Sequence, residues 1–148
     1  MINDKEMVIA IRELGLQKNQ FAVCGSGVML IHGLIPFVPD IDIIAYGEAW
    51  DDICKSKASR KAPLGDNMVS FRDGLIEVFD GWASSGWRVK DIVAEADVVD
   101  GIRYVRLERI LEYKKLMHRP KDLPHIDLIQ ALLEKRRATR AGEQKPTE

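Results

Sequence analysis

The sequence has few cysteines and no excess of one charge. Of its 148 residues only two are cysteine, Cys24 and Cys54, so the dense pattern of a disulfide scaffold is excluded and buried thiols in a reducing compartment are favoured. Its 22 Lys and Arg nearly balance 23 Asp and Glu, which gives a formal charge of -1. That balance argues against a protein whose main task is to coat nucleic acid, and it leaves local basic patches open.

Signals for export or membrane insertion are not evident. No apolar stretch reaches the ~18 residues of a membrane span, and Asp4 and Glu6 lie where a signal peptide has a basic region. The sequence therefore predicts a cytoplasmic protein that does not contact a membrane. Hydrophobic residues at 46% and charged residues at 30% are typical of a globular chain, and the length of 148 residues suits one domain.

The spacing of apolar residues predicts an α+β protein. A helix capped by Asn3 or Asp4 is expected first, then a buried strand at 21–24 and a short helix after the turn Gly25-Ser26-Gly27. The next predicted elements are a strand at 40–44, a helix at 48–57, a basic loop at 57–65 and a hairpin with strands at 69–71 and 75–80.

The remainder of the chain is predicted to be mainly helical. Helices are expected at 105–118 and from the cap Asp122 onward. Residues 1–137 are expected to form one domain, and residues 138–148, which are small, charged and poor in apolar side chains, a flexible tail.

Two aspartates stand one residue apart on an otherwise hydrophobic segment. Asp40 and Asp42 point the same way if the segment is extended, so their charges repel each other beside apolar surface. A divalent cation removes this cost, and hard oxygen ligands select Mg²⁺ or Mn²⁺. A third acid on a neighbouring strand, Glu77 or less favourably Asp80, would complete a site that binds metal and activates an attacking hydroxyl.

The turn Gly25-Ser26-Gly27 lies between a predicted strand and a predicted helix. This arrangement aims free backbone N–H groups at an anion such as a phosphate. The same turn sequence also suits a tight strand–helix connection that binds no ligand. For the turn taken alone, this connection is the simpler interpretation.

In combination these segments resemble the nucleotidyltransferase superfamily. The resemblance rests on the Gly25-Ser26 turn, then Asp40-Ile41-Asp42, then Ile76-Glu77-Val78. The segment Arg119-Pro120-Lys121-Asp122 also resembles a helix start that is common there. Small stand-alone bacterial and phage-associated members, including minimal nucleotidyltransferases and abortive-infection type toxins, are the most similar in pattern. The combination of motifs carries the resemblance, since each motif alone is weak.

The resemblance implies a small mixed β-sheet backed by helices, with further C-terminal helices. It implies transfer of a nucleoside monophosphate from a nucleoside triphosphate such as ATP to an acceptor hydroxyl, with release of pyrophosphate. Gly25 and Ser26 would cradle the triphosphate, and Asp40 and Asp42 would hold Mg²⁺, with Mn²⁺ as the alternative. Glu77 would be the third metal ligand and the base for the acceptor, which is left open as a protein, an RNA or a small molecule.

Two departures from the family pattern motivate a second hypothesis. Glu77 stands where aspartate is usual, and Pro36-Phe37-Val38-Pro39 stands where many relatives carry a basic residue and a threonine. The alternative is an inactive binding or regulatory partner of the toxin–antitoxin or phage-defence type. A metal-dependent phosphodiesterase is a third, weaker hypothesis. A solvated face is the default interpretation of Lys115 and Lys121, and either lysine would supply the phosphate-contacting cation missing from this stretch if their helix junction folds over the carboxylate edge.

Overall fold

The protein is described here by a computed structural model that covers residues 1–82 and 85–143. The chain divides into two units, Met1–Arg106 and Leu107–Glu148. The elements of the first unit are α1 (Asp4–Glu13), β1 (Phe21–Cys24), α2 (Ser26–Ile31), β2 (Ile41–Ala45), α3 (Gly47–Ser56), β3 (Arg60–Lys61), β4 (Asn67–Phe71), β5 (Ile76–Phe79), α4 (Val89–Glu95), β6 (Asp97–Val99) and β7 (Ile102–Tyr104). The second unit contains α5 (Leu107–Met117), a 3-10 helix (Pro120–Asp122) and α6 (Leu123–Glu143).

The first helix begins where the sequence predicts it. The Asn3 side chain accepts a hydrogen bond from the Glu6 backbone N–H at 2.9 Å, and the Glu6 carboxylate accepts one from the Asn3 N–H at 3.3 Å. This reciprocal cap satisfies two donors that a helix start leaves open. One face of α1 is then buried through Met7, Ala10 and Ile11, because residues three and four apart lie on the same side of a helix.

A seven-stranded mixed sheet forms the centre of the first unit, in the order β3-β4-β5-β2-β1-β7-β6. Strand β2 lies in its middle, antiparallel to β1 and parallel to β5. All residues of β2 are buried except Asp42, which is half-buried. The predicted strand at 21–24 and the predicted hairpin are confirmed as β1 and as β4 with β5.

Two parts of the sheet differ from the sequence-based expectation. Strand β3 lies inside the segment expected to be a basic loop, and the β6–β7 hairpin lies in a region expected to be helical. Both were missed because strands of two or three residues are too short to show a period-2 pattern. The turn Asp100-Gly101, with φ 50° and 80°, is an Asp-Gly hairpin signal like the one between β4 and β5, and it marks this second hairpin.

Tyr104 on β7 is the largest fully buried side chain of the sheet, beside Val23 of β1. Its hydroxyl has no hydrogen-bond partner among residues 1–82 and 85–143. Burial raises the pKa of Tyr104 to about 12, and the charge of Asp100 adds to this effect. The hydroxyl is therefore a neutral, unsatisfied group in the core, which lowers the stability of the fold.

In the second unit, α5 and α6 confirm the two predicted C-terminal helices. Buried residues of this unit include Leu107, Ile110 and Ile129, together with the charged residues Lys114 and Asp122. Helix α6 continues to Glu143 and so includes the first residues of the segment expected to be a tail. Ala138 and Ala141 favour this continuation through their high helix propensity. The rest of the expected tail, 144–148, lies outside the described residues. No helix in the described part of the chain is long and apolar enough to cross a membrane.

Candidate active site

A row of side chains crosses one face of the sheet in the first unit. The strand register pairs Cys24 with Asp42, Asp42 with Glu77, and Glu77 with Ser70. Residues paired directly across neighbouring strands project from the same face, so β1, β2, β5 and β4 each contribute one side chain. We call these four residues the polar row. The two acids that the sequence placed on separate strands, Asp42 and Glu77, are direct neighbours in it.

Asp40 lies immediately before β2, two residues from Asp42 and half-buried like it. Burial raises the pKa of Glu77, the Asp40 carboxylate raises it further, and the Arg60 guanidinium partly offsets both effects. The three acids predicted from the sequence therefore lie in one region of the sheet, where the Asp40 charge disfavours the ionised form of Glu77. Such a site favours either a proton on Glu77 or a cation beside it.

Gly25 closes β1 and brings the chain against Asp42. Its backbone has φ 64° and ψ -148°, a conformation that essentially only glycine adopts without strain. A Cβ atom at this position would lie 3.0 Å from Oδ2 of Asp42. The close approach of the turn to Asp42 therefore also requires a residue without a side chain. Ser26 follows as the first residue of α2. The predicted phosphate-binding turn and the predicted metal-binding acid are thus in contact distance.

Cys24 has a side chain unsuited to nucleophilic chemistry. Burial raises its pKa well above the usual value, and the Asp42 charge raises it further. The thiol therefore stays protonated at neutral pH, which makes it a poor nucleophile and a poor metal ligand. This agrees with the prediction of a buried structural thiol.

Asp80, the less favoured candidate for the third acid, has a structural contact instead. Its carboxylate accepts hydrogen bonds from the Asn67 backbone N–H at 2.9 Å and from the Asn67 side-chain amide at 2.7 Å. These bonds hold the start of β4 against the end of β5. Asp80 thus fastens the open end of the hairpin, whereas Glu77 lies within the polar row.

Among residues 1–82 and 85–143, no group of three or more His, Cys, Asp and Glu side chains is arranged to hold a metal ion. The polar row offers two adjacent carboxylates, Asp42 and Glu77, with Asp40 nearby. Magnesium is commonly bound by one or two carboxylates together with phosphates of the substrate. The donor set therefore fits an Mg²⁺ ion that binds together with a triphosphate.

One cation beside the row was missed by the sequence interpretation. Arg60 of β3 is exposed, and its Nη2 donates a hydrogen bond to Oγ of Ser70 at 3.3 Å. Its charge also acts on Glu77. The sequence showed only a basic segment, and no local signal distinguishes Arg60 from Lys61 before the register of β3 is known.

A buried ionic cluster surrounds Asp122 in the second unit. Its carboxylate accepts hydrogen bonds from Lys114 Nζ at 3.2 Å, from Arg119 Nε at 2.7 Å and from the Arg119 backbone N–H at 3.2 Å. Lys114 Nζ also contacts Nδ1 of His125 at 3.1 Å. Burial acts to raise the pKa of Asp122, but the hydrogen bonds from Arg119 and Lys114 outweigh it and lower the pKa. The segment that resembles a family helix start thus holds a helix junction together, while a phosphate contact by the exposed Lys115 or Lys121 stays a prediction.

Neither a protein-family model nor a curated protein matches the sequence. Among solved structures, the chain is similar to the crystal structure of the aminoglycoside nucleotidyltransferase ANT(2")-Ia in complex with adenylyl-2"-tobramycin. The TM-score is 0.50, the sequence identity is 19%, and the match covers 91% of each chain. At this identity the likeness concerns the architecture, and it agrees with the mixed sheet and C-terminal helices described above. The chain therefore has a nucleotidyltransferase-like α+β fold.

Proposed function

We propose that the protein is a nucleotidyltransferase that moves a nucleoside monophosphate from a nucleoside triphosphate to an acceptor hydroxyl and releases pyrophosphate. The observation that carries the proposal is the position of Asp42. It lies between Glu77 on one neighbouring strand and the Gly25 turn on the other side, where a Cβ would approach it to 3.0 Å. A phosphate bound at the turn would thus be beside two carboxylates, in a fold that resembles a known nucleotidyltransferase.

In this proposal the turn and the acids have separate tasks. The backbone of Gly25 and Ser26 contacts the triphosphate, and Asp40 and Asp42 hold Mg²⁺, or Mn²⁺ in its place. The bound cation neutralises charge on the phosphates and carboxylates. Glu77, the direct neighbour of Asp42 across the strand pair, is the general base for the acceptor hydroxyl.

The reaction then consists of one in-line displacement. The acceptor oxygen forms a bond to the α-phosphorus, the bond from the α-phosphorus to the bridging oxygen breaks, and pyrophosphate leaves with that electron pair. Glu77 takes the proton of the acceptor hydroxyl. Positioning and charge neutralisation supply most of the rate enhancement in such transfers.

Calorimetric titration with each nucleoside triphosphate in Mg²⁺ tests the proposal. We expect saturable binding by the wild type and at least about a ten-fold loss of affinity in Asp42→Asn, since one charge-assisted contact is worth about 1.5–3 kcal/mol. Asp97→Asn is the matched control, because it makes the same charge change at an exposed position on the edge strand β6. Equal affinity of both variants would contradict the role of Asp42.

The second hypothesis makes the opposite prediction. An inactive regulatory partner of the toxin–antitoxin or phage-defence type would bind no triphosphate in Mg²⁺ and would form a stable complex with a neighbouring gene product. That combination of results for a folded wild-type sample would overturn the proposed transfer. Release of pyrophosphate that depends on an added acceptor would support the proposed nucleotidyl transfer.

A further inference from the structure

Beyond Ser70, the last residue of the polar row on β4, the neighbouring strand β3 carries the positively charged Arg60. The strand order β3-β4-β5-β2-β1 places Arg60 on the outermost strand and the Gly25 turn after β1, with Glu77 and Asp42 between them. Arg60 and the Gly25 turn therefore lie at opposite ends of the polar row, with the acids between them. Only one of these ends, the Gly25 turn, is used by the triphosphate in the proposed function.

The register determines which face of the sheet Arg60 occupies. Arg60 pairs with Met68, and Met68 lies two residues before Ser70, so all three project from the face of the polar row. The hydrogen bond from Arg60 to Ser70 Oγ agrees with this assignment. Lys61 pairs with Asn67 and projects from the opposite face.

The contacts of Arg60 leave it able to bind an anion. A guanidinium has five N–H donors in a planar fork, and the hydrogen bond to Ser70 uses one nitrogen. The side chain is exposed, so the other donors are accessible. Arginine binds phosphate in a bidentate manner, and a serine hydroxyl beside it adds a further donor.

We propose that Arg60 and Ser70 form the acceptor subsite and bind a phosphate carried by the acceptor close to its attacking hydroxyl. This inference rests on the proposed function, since it needs the triphosphate at the Gly25 end of the row. Ser70 lies one strand from Glu77, a spacing of about 4.8 Å that a single sugar unit bridges. A sugar hydroxyl at Glu77 therefore places a phosphate of the same sugar at Ser70 and Arg60.

The charge of Arg60 also selects against other acceptors. A polycationic amino sugar would bring positive charge to the guanidinium, whereas a phosphorylated sugar or the terminal nucleotide of an oligoribonucleotide brings negative charge. Both phosphorylated acceptors share the chemistry that this end of the row recognises. The two are separated by experiment.

The test measures acceptor binding to the protein saturated with Mg²⁺ and a non-hydrolysable triphosphate analogue. The probes are ribose 5-phosphate, a short oligoribonucleotide with a free 3′ hydroxyl, unphosphorylated ribose and tobramycin. We expect one of the two phosphorylated probes to bind, which identifies the source of the phosphate, and neither ribose nor tobramycin to bind comparably.

Arg60→Gln provides the second arm, with Lys61→Gln as its control on the same short strand. Arg60→Gln is expected to weaken binding of the phosphorylated probe about ten-fold or more, the effect of one charge-assisted hydrogen bond. Lys61→Gln should leave the affinities for the probe and for the triphosphate analogue unchanged, and Arg60→Gln should weaken binding of the probe much more than binding of the analogue. The inference would be overturned if both variants changed affinity for the probe equally. It would also be overturned if Arg60→Gln lowered affinity for the triphosphate analogue as much as affinity for the probe.

The proposed function and the acceptor subsite are contradicted by different results. Failure of the wild type to bind the triphosphate analogue contradicts the proposed function itself. Binding of the analogue without binding of either phosphorylated probe contradicts only the acceptor subsite.

Discussion

Glu77 combines partial burial with a neighbouring negative charge. Both effects favour its protonated form in the folded chain, so its pKa is raised relative to the unfolded chain. The contribution of this group to stability is therefore fully present below the unfolded pKa of about 4.3. It is lost as the pH rises through the higher folded pKa, because the fold then contains a carboxylate that water solvates better.

The first prediction concerns Glu77→Gln, which replaces the carboxyl with a neutral group of similar shape. We expect a higher thermal midpoint than wild type at about pH 7 and no difference below about pH 4, where Glu77 is protonated in both states. A change of 1 kcal/mol moves the midpoint of a domain of this size by about 4 °C, so the rise should not exceed a few degrees. Thermal unfolding followed by circular dichroism across this pH range measures it.

Glu134→Gln on the exposed surface of α6 is the control for the loss of one carboxylate. It should give no such pH-dependent difference. A lower midpoint of Glu77→Gln at neutral pH would contradict the assignment of Glu77 as an unfavourably placed charge.

At the scale of an element, the turn between β1 and α2 joins backbone conformation to the site. Gly25→Ala adds a Cβ that meets Asp42 Oδ2 at 3.0 Å, in a conformation that disfavours any side chain. We expect a loss of about 1–3 kcal/mol of stability from the backbone strain. Triphosphate affinity should fall as well, because the added methyl group displaces either the turn or the carboxylate.

Gly33→Ala separates the effect of backbone strain from the effect of the contact with Asp42. Gly33 also has a positive φ, of 75°, but a Cβ there would have no heavy atom within 4 Å among the described residues. It should lose stability through the backbone alone and keep triphosphate affinity. A similar loss of affinity in both variants, measured by titration calorimetry on folded protein, would show that the contact with Asp42 is irrelevant to binding.

The junction of α5 and α6 depends on the buried carboxylate of Asp122. Asp122→Asn removes the charge that pairs with Lys114 and Arg119, and it leaves Lys114 buried without its counter-charge. We expect a loss of about 3–5 kcal/mol, the usual effect of breaking a buried ion pair. Urea denaturation measures it, with the exposed Asp127→Asn on α6 as the control.

The pH dependence of this cluster has the opposite sign to that of Glu77. The pKa of Asp122 is lowered in the fold, so its contribution to stability is present above the unfolded pKa and is lost as the pH falls through the folded value. The difference in free energy of unfolding between Asp122→Asn and the wild type should therefore disappear in strong acid. An equal difference at all pH values would contradict the ionic origin of the effect.

Local patterns were sufficient for most elements and insufficient for the arrangement of the site. The Asn3 cap, the strand at 21–24 and the Asp73-Gly74 hairpin each have a signal within a few residues, and each is confirmed. The β6–β7 hairpin had only its turn as a signal. The adjacency of Asp42 and Glu77 depends on the pairing of β2 with β5 across α3, β3 and β4, which a single sequence does not encode as a local pattern.

The role of Arg60 shows the same limit at one position. Its charge was evident in the sequence, but the face on which it lies follows from the pairing of a two-residue strand with β4. A register shifted by one residue would exchange Arg60 and Lys61 between the two faces. The proposed acceptor subsite therefore needed the structure, whereas the acids were already named as candidates from the sequence and needed the structure only for their adjacency.

At the scale of the whole molecule, the sequence predicts that residues 1–137 form one domain, while the contacts divide the chain after Arg106. Differential scanning calorimetry of the full chain tests this prediction through two variants. Tyr104→Phe in the first unit removes an unsatisfied buried hydroxyl and should stabilise by about 1 kcal/mol. Asp122→Asn in the second unit should destabilise the protein because it removes the counter-charge of the buried Lys114.

For one cooperative domain, the wild type unfolds in a single transition whose calorimetric and van't Hoff enthalpies agree. Tyr104→Phe then raises the midpoint of that transition and Asp122→Asn lowers the midpoint of the same transition, because every part of a cooperative unit shares one free energy of unfolding. Two transitions, of which one responds only to Tyr104→Phe and the other only to Asp122→Asn, would show that the chain unfolds as two domains divided near Arg106. The sheet with its polar row would then be a stability unit separate from the Asp122 cluster.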